Sequence, residues 1–196
     1  MTEHEYHIEV ANVVRDIVPE DATEIYSLIS NDCARKNSPF NQYALPIYHV
    51  KEDGYAIKYA YADILIVKDG LIKAQIEIEE QDRSATKLFG KVLTSAHCKF
   101  YEYQGRNGPR VKGPLPFSKD FVFIQIVRPV EAKNPENSQK RKQWEQIGKD
   151  ITRMLEKGFK CGQDPWVRSI KYNLLNKSVE DNESELDVIL KELRGN

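Results

Sequence analysis

The chain has 196 residues, of which 40% are hydrophobic and 30% charged, and a formal net charge of −1. That length suits one domain of ordinary size that needs no disulfide staples, and the composition argues against a disordered chain or a collagen-like repeat. Apolar runs are short and soon broken by charge, none approaching the ~20 residues of a spanning helix, so no membrane partner is expected. The opening MTEHEYHIEV is acidic where a secretory leader is basic and then apolar, which suggests a cytoplasmic protein. Cys33, Cys98 and Cys161 are far apart, lack zinc spacing and read as reduced thiols.

The small net charge hides a segregation. Residues 1–30 carry −6 and residues 178–196 carry −4, so residues 31–177 hold +9. The overall balance argues against a simple polyanion binder, yet the central part can still present a basic face.

In chain order, residues 3–17 place Tyr6, Val10, Val13, Val14 and Ile17 at helical spacing. Pro19 suits the first turn of a second helix whose inner face is Ala22, Ile25, Tyr26, Ile29 and Cys33. This helical N-terminal part spans 1–40. From 44 to 79 the pattern turns to β: a strand at 44–50, a turn at Glu52-Asp53-Gly54, a longer run at 55–67, a turn at Lys68-Asp69-Gly70 and the alternating run 71–79. Residues 84–103 read as a helix, with Leu88, Val92, Ala96, Phe100 and Tyr103 on one face and Lys87, Lys91, Cys98 and Glu102 on another. Residues 105–119 form a Gly- and Pro-rich loop with four bases and no acid, followed by a strand Phe121–Val127. A helix at 138–157 turns Trp144, Ile147, Ile151 and Leu155 inward; a strand at 166–175 and an acidic helix at 182–194 complete the chain. This order predicts an α/β fold, a single domain over 1–196 with a mixed central sheet flanked by helices.

The residues that point to chemistry are Asp63, Glu77 and Glu79. On the alternating strand Lys73, Gln75, Glu77 and Glu79 share one face, and Ile72, Ala74, Ile76 and Ile78 the other. A two-residue turn at Asp69-Gly70 would pair Asp63 with Ile76 and set its carboxylate on the apolar face. A three-residue loop, Lys68-Asp69-Gly70, pairs Asp63 with Gln75 and stacks Ile64 and Ile66 against Ala74 and Ile72. Burying an unpaired carboxylate costs several kcal/mol, so the three-residue loop is predicted. The three acids then converge and repel unless a cation lies between them. Mg²⁺, or Mn²⁺ in its place, would resolve the conflict and could activate water for phosphate chemistry. The plain alternative is a half-exposed strand whose polar side chains face water.

The order of elements, with Asp63 on one strand and Glu77-Ile78-Glu79 on the next, resembles the PD-(D/E)XK nuclease superfamily over residues 44–127. Glu79 stands where most members have Lys, a Glu-x-Glu form found in a minority of its restriction endonucleases. The polar link Glu80-Gln81-Asp82-Arg83-Ser84 and the helix directly after it also match, while Ala62 replaces the motif's Pro. The resemblance implies a restriction-endonuclease-like fold and a divalent-metal-dependent endonuclease, of restriction type, acting on double-stranded DNA. Asp63, Glu77 and the carbonyl of Ile78 would hold the metal, and Glu79 or Lys87 would orient the attacking water. One such site cuts one strand, so double-strand cleavage implies a homodimer. Arg83, Lys91, Arg106, Arg110 and Lys112 are the expected nucleic-acid contacts, through phosphate neutralisation; as an ordinary solvated loop, 105–119 needs no such role. A second nuclease reading is repair or junction processing, which recognises DNA shape more than sequence, and the non-enzyme reading is a nuclease-fold module without catalysis that binds nucleic acid or serves in assembly.

Histidines add little at this level. Adjacent His97 and Cys98 point about 100° apart on a helix and do not make a nucleophile–base pair. The spacing of His4 and His7 is ascribed to chance, and His49 lies on a strand that could neighbour the acids.

Overall fold

Strands β4 (Ile64–Lys68) and β5 (Leu71–Glu79) are buried almost along their whole length, which requires helices on both sides of the sheet. A computed structural model describes residues 5–18, 25–29, 45–52, 55–80, 84–102, 114–129, 135–157, 160–161, 164–165 and 170–194, and supplies both layers. Helices α1 (Glu5–Ile17) and α4 (Val179–Arg194) cover one face, and α2 (Ala85–His97) and α3 (Pro135–Lys157) the other. The fold is α/β, with an open, mixed central sheet flanked by four helices among the described residues.

That sheet is eight-stranded. Its order is β1 (Ile25–Ile29), β4, β5, β7 (Leu115–Val127), β6 (Phe100–Tyr101), β2 (Leu45–Glu52) and β3 (Tyr55–Ala62), with β10 (Lys171–Leu175) also on β7. β7 runs parallel to β5 and β10; the remaining pairings of the sheet are antiparallel. Two short strands, β8 (Lys160–Cys161) and β9 (Asp164–Pro165), pair separately. No helix among the described residues is long and apolar enough to cross a membrane.

Each helix buries the stripe its spacing dictates. On one face Tyr6, Val10 and Val14 of α1 and Leu186 and Leu190 of α4 pack on Ile64, Ile66, Ile76 and Ile124. On the other, Leu88 and Val92 of α2 and Trp144, Ile147, Ile151 and Leu155 of α3 pack on Leu65, Val67 and Phe123. Ser84 caps α2, its hydroxyl accepting the Lys87 N–H at 3.3 Å.

Four expectations need correction. Residues 25–29 form strand β1 rather than part of a second helix, pairing antiparallel with β4 from Ile25↔Lys68 to Ile29↔Ile64. The segment IYSLI suits either state, and β4 needs a partner for the backbone groups along that edge; the rest of the predicted helix lies outside the described residues. Helix α2 stops at His97 because Cys98 turns extended (ψ 143), freeing Phe100 and Tyr101 to bridge β2 and β7. β7 begins at Leu115, inside the predicted loop. The run 55–67 is two strands: it bends at Asp63, so β3 pairs with β2 while β4 pairs with β5 and β1.

Candidate active site

The hairpin that joins β4 to β5 decides where the acids go. Its turn has two central residues, Asp69 (φ 55) and Gly70 (φ 70), the positive-φ pair that matches strand twist. Lys68 pairs with Leu71 and Val67 with Ile72; a bulge at Lys73 follows, after which Ile66 pairs with Ala74, Leu65 with Gln75 and Ile64 with Ile76. The bulge replaces the predicted three-residue loop. It also splits the apolar face expected for β5, since Ile72 packs with Leu65 and Val67 while Ala74, Ile76 and Ile78 pack with Ile64 and Ile66. One step beyond the Ile64↔Ile76 pair, the bend sets Asp63 beside Glu77 rather than Gln75. The requirement foreseen for the loop is met by the bulge: Asp63 stays off the aliphatic face.

Gln75, Glu77 and Glu79 do not face water. They lie under α2, with Glu77 only 2% and Glu79 1% exposed, so the half-exposed strand does not describe them. Lys91 reaches down from α2 into the cluster. Its ammonium is 2.7 Å from Glu77 Oε2, 2.7 Å from Glu79 Oε1 and 3.9 Å from Asp63 Oδ2. One helical turn earlier, Lys87 lies 2.9 Å from Glu79 Oε2. Asp63 Oδ2 also accepts the Ile78 N–H at 2.8 Å.

Uncharged groups fix the acids from behind. The Gln75 amide donates to Glu77 Oε1 at 2.8 Å and to Ser95 Oγ at 2.9 Å. The Gln125 amide donates to the Leu88 carbonyl at 3.3 Å and its oxygen accepts from Tyr172 at 2.8 Å, tying α2 to the sheet. From the opposite face His7 Nε2 donates to the Ile78 carbonyl at 3.0 Å, and the Tyr6 N–H donates to Glu80 Oε1 at 2.8 Å. The start of α1 is thereby docked on the end of β5.

The electrostatics follow from burial and crowding. Burial and then the Asp63 carboxylate push Glu77 up to about 7, against the pull of Lys91. Burial also raises Asp63, partly offset by Lys91 and the Ile78 N–H. Burial alone would lower Lys91, but Glu77, Asp63 and Glu79 together raise it above the ordinary lysine range. With all acids ionised, three buried carboxylates face two partly exposed ammonium groups, leaving one negative charge in excess.

The structure thus brings together Asp63, Glu77, Ile78, Glu79 and Lys87. It places Lys91, expected to contact nucleic acid, inside the same cluster. Arg83, Arg106, Arg110 and Lys112 lie outside the described residues. Gln75, Ser95, Gln125, Tyr172 and His7 were not legible as site residues. Their contacts join separate elements, and only Gln75, on the acid face of its strand, carried any signal.

Among the described residues no three or more His, Cys, Asp or Glu side chains are arranged to hold an ion directly; the carboxylates instead meet at the Lys91 ammonium. Asp63, Glu77 and the Ile78 carbonyl are oxygen donors of the type a hard divalent ion takes, and here they meet protein donors instead: the Ile78 N–H on Asp63, Gln75 and Lys91 on Glu77, and His7 on the Ile78 carbonyl. The site lies where parallel strands β5 and β7 end, with Glu79 opposite Val127, a common position for ligand sites in α/β sheets. No protein-family model matches the chain, and no curated protein or solved structure matches it.

Proposed function

We propose that this chain is a divalent-metal-dependent nuclease of restriction-endonuclease-like fold that hydrolyses DNA phosphodiester bonds, with its centre at Asp63, Glu77, Glu79 and Lys91. The observation that carries the reading is the set of three buried carboxylates gathered on one lysine. Desolvating such ions costs several kcal/mol each, and apolar side chains of similar volume often give equal or better stability. An arrangement this costly, with Glu77 shifted to about 7, belongs to chemistry more readily than to packing.

Asp63, Glu77 and the Ile78 carbonyl would hold Mg²⁺ or Mn²⁺, which when bound supplies positive charge to offset the phosphate and acidifies a water. Lys91 takes the part that the Glu-x-Glu strand leaves vacant. It reaches between Glu77 and Glu79, where an ammonium stabilises the charge that grows on the phosphoryl oxygens. Glu79 orients the attacking water, and Lys87 holds its second oxygen in place. Gln75 fixes the Glu77 rotamer, while His7 holds the Ile78 carbonyl in its orientation.

A non-catalytic nuclease-fold module is the second reading. One observation favours it: Lys91 already compensates the carboxylates, with Glu77 and Glu79 each at 2.7 Å. Incubating the purified protein with DNA in Mg²⁺ or Mn²⁺, beside an EDTA control, separates the two. Metal-dependent cleavage is expected, with Glu77→Ala and Lys91→Met each losing at least ~100-fold while retaining the circular dichroism of the fold. Discrete fragments from duplex DNA would add sequence specificity. Absence of cleavage in either metal, with no Mn²⁺-induced rise in Tm, would transfer the assignment to the module.

A further inference from the structure

We propose that the exposed aromatic face of β3 binds unpaired bases and delivers a single strand to the carboxylate–lysine site; this deepens the nuclease reading and rests on it. β3 ends the sheet, pairing with β2 and with no other strand among the described residues. Ile57, Tyr59 and Tyr61 are 46%, 45% and 53% exposed, and these two tyrosines are the only large aromatics so exposed among the described residues. Three such side chains on one edge strand form a patch, not the scattered exposure of an ordinary surface.

The rings are held before any ligand arrives. Tyr59 stacks on His49 with centroids 5.1 Å apart and planes 12° from parallel. His49 Nδ1 donates to the His97 carbonyl at 2.7 Å, which fixes the plane on which Tyr59 rests, and His97 stands edge-on to His49 at 5.8 Å. The Lys58 ammonium lies 4.3 Å from the Tyr61 centroid and donates to its hydroxyl at 2.6 Å. Rings fixed in this way lose little further entropy when a base stacks on them.

Three features select the occupant. Aromatic rings beside ammonium groups suit a single strand, because bases stack on the rings while lysines meet phosphates; Lys58 and Lys99 are exposed here, and Tyr55–Ala62 contains no acid. Position is the second feature. Tyr61 precedes Asp63 by two residues, ~7 Å of extended chain, and His97 follows Lys91 by six, ~9 Å of helix, so the patch adjoins the site along the chain and the two share α2. The third feature opposes a second copy adding its own strand. β3 is irregularly paired at Ile47/Tyr48 and at Tyr48/Lys51, and it carries an exposed lysine; bulges and lysines are devices that block edge pairing. A duplex keeps its bases stacked on each other and gives these rings nothing to hold. A single strand also needs one active site and no partner subunit.

The test reads binding apart from chemistry. In EDTA, the anisotropy of a short fluorescein-labelled oligothymidylate and of a duplex of equal length gives the two affinities for the full chain. The single strand is expected to bind about tenfold tighter than the duplex, and Tyr59→Ala and Tyr61→Ala each to weaken it about tenfold, with Phe at both positions retaining it. Both tyrosines are about half exposed, so these variants should keep the fold, as circular dichroism would show. Duplex binding as tight as single-strand binding, or alanine variants with unchanged Kd, would overturn the platform even if Mn²⁺-dependent cleavage is seen. Tyrosine-dependent binding without cleavage in Mn²⁺ would instead overturn the nuclease reading, and the delivery role with it. A dimer in sedimentation that Tyr61→Ala dissolves would assign the face to a second copy and overturn the proposal.

Discussion

Glu77 binds its proton more tightly in the folded protein than in the unfolded chain, because burial and the Asp63 carboxylate raise it to about 7. The consequence for stability has a definite sign. Between about pH 4.5 and pH 7 the folded state carries the extra proton, so stability falls as pH rises through this window. With the pull of Lys91 already counted, the loss is on the order of 3 kcal/mol if Glu77 titrates independently of Asp63. Urea midpoints of the metal-free protein in EDTA from pH 5 to pH 8 should decline, and Glu77→Gln should flatten the decline; an unchanged slope in that variant would place the titration elsewhere. At this scale the sequence was partly legible. Asp63, Glu77 and Glu79 announce themselves by charge and alternation, and Lys87 by its place one turn into the next helix. Lys91 sits four residues further on the same face, and nothing in the sequence distinguished an ammonium aimed at the acids from one aimed at phosphate.

Between residue and fold, the β4–β5 hairpin positions the site through two local devices, a two-residue turn and the bulge at Lys73. Gly70 adopts φ +70 with open space around the position of a Cβ. Gly70→Ala should therefore cost about 1 kcal/mol through backbone strain alone, without a steric clash. Chemical denaturation would read this, and a loss of several kcal/mol would mean that the turn also carries the register. Turn residues are visible in a sequence; a bulge is not, because Lys73 looks like any member of an alternating run. Helices α1, α3 and α4 were legible for a simpler reason, since each buries one stripe and that stripe recurs at helical spacing. Segment 25–29 was not. Ile25, Tyr26 and Ile29 fit a helix face, and the decision for a strand came from the edge of β4, almost forty residues away.

For the whole molecule, the charge segregation acquires a direction. Helix α4, with six acids and two bases, packs beside α1 on one face of the sheet, where the Asn182 amide donates to the Tyr6 hydroxyl at 3.4 Å. The opposite face carries α2 above the site and α3 with exposed Lys140, Arg141 and Lys142. If the chain binds DNA as proposed, the strand would approach the α2/α3 side, and its affinity should fall steeply as salt rises. Replacing Lys140, Arg141 and Lys142 by Glu should weaken DNA binding and reduce its salt slope; an unchanged slope would show that α3 lies off the DNA path.

Periodicity and charge along the chain were enough for the class of the fold, most of its helices, the β character of 44–79 and the acids worth attention. All of these depend on periodicity and on local charge, which a linear chain carries openly. The packed fold was needed to show that Glu77 and Glu79 lie in a covered interior, that Lys91 is the cation between them, and that His7 and Gln75 hold the site from two sides. Those outcomes rest on which distant backbone edges pair and on which helix covers which face. The energies that settle them, desolvation and hydrogen-bond completion, exist only once elements far apart in sequence have met.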